Sequence, residues 1–291
     1  MHPASSVIVF TVLSGLGLGF LAFLGIGAIT PIGLHAFILY GLGYGLTVIG
    51  LLASTFHLGN PQRAWRAFSQ WRTSWLSREG VASVLTLLLM APAAIGAVFF
   101  NFPVETFGFP AALLAILTVF ATSMIYAQLK TVPRWNHWTT PALFLTFALT
   151  GGAMLSAHTK LAVVLCGVLG LLEIFSFLQG DGRFAARGST METATGLGKI
   201  GKVRMFEPPH TGSNYLMREM IHKVGRKHSQ RLRVIAVVFS ALLPAIVLLV
   251  LPVTFAAIGL AVVLHLIGAF AARWLFFAEA EHVVGLYYGA R

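Results

Sequence analysis

The chain has 291 residues, of which 57% are hydrophobic and only 10% charged, with a mean hydropathy of +0.83. A sequence this short has no water-soluble core able to hide that much apolar surface, so the soluble globular and disordered classes are excluded and a lipid bilayer is the expected solvent. The net charge of +11 does not point to nucleic acid, because the basic residues sit in blocks between apolar runs and draw no stripe along a polar helix.

Taken in chain order, stretches able to cross about 30 Å of hydrocarbon lie near residues 7–29, 35–56, 81–100, 109–129, 141–157, 161–178, 234–251 and 255–277. Backbone groups in lipid must be satisfied within their own segment, so these are expected to be helices. The fold class is therefore all-α: a polytopic protein of about eight transmembrane helices. It forms a single membrane domain over 1–291, interrupted by a long basic loop at 179–233. No Lys or Arg precedes the first run and no small-residue cleavage site follows it, so it reads as a retained helix. Gly15, Gly17 and Gly19 in the first span and Gly41, Gly43 and Gly45 in the second read as packing devices that let backbones approach closely. Pro244 and Pro252 should kink and end the seventh span.

Eight spans put both termini and the 57–80, 130–140 and 179–233 connections on one side. That side carries all the Lys and Arg residues but one, Arg273 and Arg291 included; Lys160 alone falls on the other. By the positive-inside rule, the basic loops and both termini are expected in the cytoplasm of a bacterium, with the spans in its inner membrane. The single cysteine, Cys166, lies in an apolar run, so no disulfide or thiolate-held cluster can be built within the protein and no metal centre is expected in it. A bis-histidine haem between His158 and His265 is a weaker alternative, because the histidines show no regular pairing at matched depth.

The informative residues flank the second and third spans. The second span ends in Phe56-His57-Leu58-Gly59-Asn60-Pro61-Gln62-Arg63-Ala64-Trp65-Arg66, and the loop runs on to Ser77-Arg78-Glu79-Gly80. His57 and Glu79 fall at one membrane depth on neighbouring helix ends. They could be an ordinary interfacial ion pair, or an imidazole and carboxylate that exchange protons with a lipid-soluble redox carrier. Arg63 and Tyr126 are nearby candidates for orienting or polarising such a ring. Glu173 and His265 stand in mid-span, where a titratable group is costly; each reads equally as functional or as a structural hydrogen bond between helices. The 179–233 loop is Gly-rich and basic, carries Phe206-Glu207-Pro208-Pro209-His210 and an expected amphipathic helix over 214–227, and suits docking of a peripheral protein, with headgroup binding as the bland alternative.

Together these residues resemble the anchor subunit family of dimethyl sulfoxide reductases, the eight-helix membrane component of molybdopterin oxidoreductase complexes. The likeness extends over most of the sequence. It rests on His57-Leu58-Gly59-x-Pro61-x-Arg63-Ala64, Leu76-Ser77-x-Glu79, Tyr126 ahead of Thr131-Val132-Pro133-x-Trp135, Thr140-Pro141, Gly151-Gly152 and Gln179-Gly180. The resemblance implies partners, an iron–sulfur subunit and a molybdopterin catalytic subunit. It also implies exchange of electrons and protons with ubiquinone or menaquinone at a site that includes His57 and Glu79.

Two departures stand out. The family often has a Gly-Glu pair ahead of a Gly-Arg near the end of the last helix, where this protein has Gly268-Ala269 and Ala272-Arg273. The basic 179–233 segment is also longer than in the dimethyl sulfoxide reductase anchors and is similar to that of sulfite dehydrogenase anchors, which favours sulfite oxidation. The alternatives are the anchor of a dimethyl sulfoxide reductase-like complex oxidising menaquinol, a passive anchor without quinone chemistry, and a transporter. A transporter should show repeated halves around midplane polar residues, and no such repeat is visible.

Overall fold

The computed structural model describes residues 1–57, 60–102, 105–207, 210–212, 214–221 and 228–289, the side chains of His57, Pro61 and Glu105 excepted. The long helices are α1 (Ser5–Gly25), α2 (Gly33–Ala53), α3 (Trp75–Phe99), α4 (Glu105–Ala127), α5 (Thr139–Leu155), α6 (Thr159–Ala186), α7 (Ser229–Val250) and α8 (Phe255–Ala278). Seven of them are long and apolar enough to cross a membrane, and α5, also apolar, has 17 residues, the lower limit of a span. No strand occurs among the described residues. The protein is an all-α, multi-pass membrane protein.

α1 is the hub of the bundle. It packs on α2, α4, α5 and α8, and Leu18, Phe20 and Leu21 are almost wholly buried. Small residues make this possible, since without a hydrophobic force between helices in lipid it is close backbone approach that holds them. A Cβ on Gly17 would overlap Thr47 of α2, one on Gly19 the Ala148 carbonyl of α5, and one on Gly43 the Leu21 side chain. Gly152 of α5 lies against Gly19 in turn. Gly15, Gly41 and Gly45, in contrast, have nothing within 4 Å, so only half of the glycines expected to pack helices do so. Leu34, Phe37, Phe99, Leu171, Leu249 and Phe255 are all exposed and make the apolar outer surface.

Connections on one face are short (26–32, 100–104, 156–158, 251–254), while the opposite, basic face carries the longer segments 54–74, 128–138, 187–228 and 279–291. Two boundaries differ from expectation. α3 starts at Trp75, before the expected 81, which places Glu79 inside a helix instead of in a loop. α6 runs on to Ala186 and α7 begins at Ser229, so the long basic connection spans 187–228 instead of 179–233. The added turns carry Asp181 and Arg233, whose charges are mutually paired, so the polar residues that mark a helix end in the sequence sit here on a continuing helix. Within the connection, Thr190 and Thr193 form a capping box on Met191–Thr195, and Asn214 caps Tyr215–Glu219. The helix expected over 214–227 is shorter, ending at Glu219 with a turn at Met220 and a bend at Ile221, and 222–227 lie outside the described residues.

α7 is not a uniform helix. Residues Val238–Leu242 make a wider, π-helical turn just ahead of Pro244. Proline has no N–H to return to the carbonyl four residues earlier, so the Ser240 carbonyl is released from the helical ladder for another donor. Pro252 follows the end of the helix at Val250.

Candidate functional site

The segment between α2 and α3 forms one wall of the candidate site. Residues Pro61–Phe68 make a 3-10 helix tied to the start of α3 by Ser77, which donates to the Ala67 carbonyl and accepts from the Gln70 N–H at 3.2 Å. Arg78 closes the same turn, donating to the Trp71 and Arg72 carbonyls at 3.1 and 2.8 Å, with its guanidinium 4.3 Å from the Trp75 ring centroid. The next residue, Glu79, faces inward and is 4% exposed. Thr122 of α4 donates a hydrogen bond to Glu79 Oε1. Leu52, Phe56, Leu76 and Phe68 are exposed apolar residues at this end of α2 and α3.

Tyr126, one turn beyond Thr122, sits among the rings of Trp135, Phe144, Phe276 and Phe277 at 5.3–5.8 Å. It lies within electrostatic reach of Glu79 and of Arg273. Arg273, expected from the sequence among the basic surface charges, is in fact 5% exposed inside the bundle. Its guanidinium carbon is 3.4 Å from the Phe144 ring centroid and 5.3 Å from that of Phe147. None of the ion pairs among the described residues includes it. The signal was present in the sequence: an arginine well inside the last apolar run is expensive in lipid unless it faces the bundle interior.

Deeper in, Ser240 of the wide turn joins two other helices. Its hydroxyl donates to Glu173 Oε2 of α6 at 2.5 Å, and its released carbonyl accepts from Nδ1–H of His265 of α8 at 2.7 Å. Gly268 gives these helices room, since a Cβ there would overlap the Ser240 backbone. Both mid-span groups singled out in the sequence thus hold α6, α7 and α8 together.

At the basic face a charge cluster ties down the same helices. Arg134 of the 128–138 segment donates to Glu279 at 2.5 Å and to Asp181 at 3.1 Å, and Arg233 donates to Glu279 at 2.7 Å and to Asp181 at 2.5 Å. These groups line an open cleft of about 290 Å³. The 128–138 segment is anchored further by Trp135 Nε1 on the Phe276 carbonyl at 2.8 Å, Thr140 Oγ1 on the Trp135 carbonyl at 2.8 Å, and Val283 N–H on the Thr131 carbonyl at 3.0 Å. Residue order gives no sign of this cluster, because its four members come from four separate segments.

Of the residues expected at the site, Glu79 and Tyr126 come together inside the bundle. Arg63 is exposed on the 3-10 helix. The His57 side chain lies outside the described residues, and among the described residues Glu79 is held by Thr122. Among the described residues no three His, Cys, Asp or Glu side chains converge as metal ligands would.

Comparison with known proteins agrees with this architecture. A family model described as "DMSO reductase anchor subunit (DmsC)" matches residues 1–289. The C subunit of the sulfite dehydrogenase of Allochromatium vinosum is 30% identical, with the match spanning 99% of each protein. The YnfH component of an anaerobic dimethyl sulfoxide reductase of Escherichia coli is 30% identical over 40% of this protein and 42% of its own length. The C component of the anaerobic dimethyl sulfoxide reductase of Haemophilus influenzae is 29% identical over 37% of this protein and 39% of its own length. No solved structure matches this protein.

Proposed function

Because the chain belongs to the DMSO reductase anchor subunit family and so is a membrane anchor of a molybdoenzyme complex, we propose that it links its catalytic partner to the membrane quinone pool, with Glu79 as the group that handles the proton. The observation that carries this is a buried carboxyl, held by Thr122, one turn inside the membrane end of α3 and beside an exposed apolar surface. That combination suits a lipid-soluble ring: apolar contact for its tail, and a proton-transfer group out of bulk water for its oxygens. Quinone supplies two-electron chemistry coupled to two protons; the anchor supplies orientation and the protons. His57 is the second proton-handling group in this reading, and Tyr126 a ring-facing hydroxyl near Glu79. Arg63, being exposed, is better suited to the partner subunit than to the ring.

The partner directly seated on the basic face is read as an iron–sulfur subunit that hands electrons between the molybdopterin subunit and quinone, since the anchor has a single cysteine with which to hold a cluster of its own. Sulfite is favoured as the partner's substrate because the sulfite dehydrogenase relative aligns over the whole length, whereas the dimethyl sulfoxide reductase relatives align over less than half. The basic face, with both termini, is placed in the cytoplasm of a bacterial inner membrane.

The test uses the assembled complex. Glu79→Gln keeps the shape and removes the titration, so turnover with quinone should fall by about a hundredfold. A dye that accepts electrons from the soluble subunits should still support parental turnover. His57→Ala should show the same split. Parental turnover with quinone in a fully assembled Glu79→Gln complex would place the headgroup elsewhere.

A further inference from the structure

Glu173, Arg273 and His265 have no task in the site just described, yet two small cavities join them to it. One, of about 40 Å³, is lined by Glu173, Arg273, Ser176, Arg134 and Glu279. The other, of about 20 Å³, is lined by Arg273, His265, Ser14 and Thr122. Arg273 lines both. A water needs roughly 10–15 Å³ of such space and two or more polar partners, so the first has room for two or three waters and the second for one. Glu173 Oε2 is bonded to Ser240, but Oε1 is buried without a partner. A buried carboxyl oxygen left this way calls for a water or a proton.

We propose that Glu173 and water in these two cavities, ordered by Arg273, form a sideways proton path from the charged cleft at Arg134 and Glu279 to Thr122 and Glu79, apart from the door used by quinone. The proposal rests on the placing of the quinone site at Glu79. Along the helix axes, Arg273 lies about 9 Å inward of Glu279, and Glu173 about 12 Å inward of Asp181. The path therefore dips into the bundle at α6, turns at α8 and reaches α3 through α4, with each station on a different helix.

The chemistry follows from the charges that face each station. Glu173 meets Ser240 from α7, Arg273 from α8, and Arg134 and Glu279 across the larger cavity, while His265 of α8 reaches it only through the Ser240 carbonyl. Glu79 meets Thr122 and Tyr126 from α4. A guanidinium does not release its proton, so Arg273 is a positioning residue and not a carrier. Beside a fixed cation an extra proton is repelled while a missing one is stabilised. What travels is thus a proton vacancy. Reduction of one quinone takes two electrons from the redox centres of the partner subunits and two protons. When Glu79 gives a proton to a quinone oxygen, the vacancy passes through Thr122 and the cavity waters to Glu173. Water in the cleft then refills Glu173, and oxidation of a quinol runs every transfer backwards.

The assembled complex again provides the test, with quinone turnover, dye turnover and binding of a fluorescent quinone-site inhibitor read in parallel. Glu173→Gln keeps the hydrogen bond to Ser240 and should lower quinone turnover by about tenfold, with dye turnover and inhibitor affinity within about twofold of the parent. Formate or azide, small weak acids that can enter a cavity, should restore much of the loss, which they would not do for a purely structural defect. Ala272→Val, which fills the larger cavity without touching a carboxyl, should mimic the loss and resist rescue. If Glu79→Gln is impaired while Glu173→Gln and Ala272→Val turn over quinone at the parental rate, the path is overturned and the site stands. If Glu79→Gln itself is parental, the site reading fails first. Should Glu173→Gln not assemble, Ala272→Val decides the matter by the same two rates.

Discussion

Gly180 lies directly under the Arg134 guanidinium: a Cβ there would stand 2.7 Å from the guanidinium carbon. The only freedom Arg134 has to retreat is lost to its bonds with Asp181 and Glu279. Gly180→Val should push Arg134 out of the cluster and leave the buried Glu279 with Arg233 alone, at a cost of about 1–3 kcal/mol. Thermal unfolding in detergent should show the drop, and Gly182→Val, at a glycine with nothing within 4 Å, should not.

The helix-packing glycines divide into two groups that a stability assay will separate. Gly19→Val and Gly268→Val each force a side chain into a neighbouring backbone and should cost several kcal/mol, enough to abolish accumulation of the folded protein. Gly15→Ala and Gly41→Ala point into open space and should leave the expression level and melting temperature unchanged or slightly raised. Equal losses in both groups would mean that α1 does not pack as described.

His282 gives the last turn a dependence on pH. Its Nδ1 accepts from the Val284 N–H at 3.0 Å, which only an imidazole unprotonated at that nitrogen can do. Burial, and then repulsion by the N-terminal ammonium, hold its pKa below the ordinary 6.5. The folded state therefore binds the proton less readily than the unfolded one, so the stabilising contribution is full above about pH 6.5 and falls away as pH drops through the lowered value. Corrected for the intrinsic rate at each pH, hydrogen exchange at 283–288 should accelerate on going from pH 7.5 to 5.5. In His282→Asn, which keeps an acceptor without a titration, that acceleration should vanish.

The side on which the basic segments lie can be read in cells. If the basic face is cytoplasmic as proposed, a cysteine introduced at Gly212, with Cys166 replaced by Ala, should react with an impermeant maleimide only after the membrane is opened. A cysteine at Lys160, at the start of α6 on the opposite face, should react in intact spheroplasts. The reverse pattern would turn the whole anchor over and move the partner subunits to the other compartment.

Most of the helical plan is legible in residue order, because each span is a run of apolar residues and the bilayer fixes its length. What is not legible is where those runs meet. Glu79 reads as a surface residue since it follows Ser77 and Arg78, but those two turn back to bind the 61–74 segment while the next position faces inward. Arg273 reads as a surface charge because basic residues near span ends usually are, and its burial depends on Phe144 and Phe147 of another helix. Ser240 carries no signal at all: its role follows from a proline four residues later and a histidine twenty-five residues later. The Asp181, Arg134, Arg233 and Glu279 cluster is equally a product of the third dimension. Such contacts depend on rotation about helix axes, which hydropathy does not encode.

The wide turn in α7 is also a matter of length. It spends one residue more than an α-helix would use between the same end points. Excising Ala241 would let a plain α-helix join those end points, so the flanking halves would keep their phase and Arg233 would still face Asp181 and Glu279. What would move is the gap that proline leaves in the ladder, which would fall on the carbonyl of Phe239 instead of that of Ser240. The extra residue thus decides which carbonyl is free to meet His265. A single-residue deletion there would cut that one connection without altering either residue that makes it.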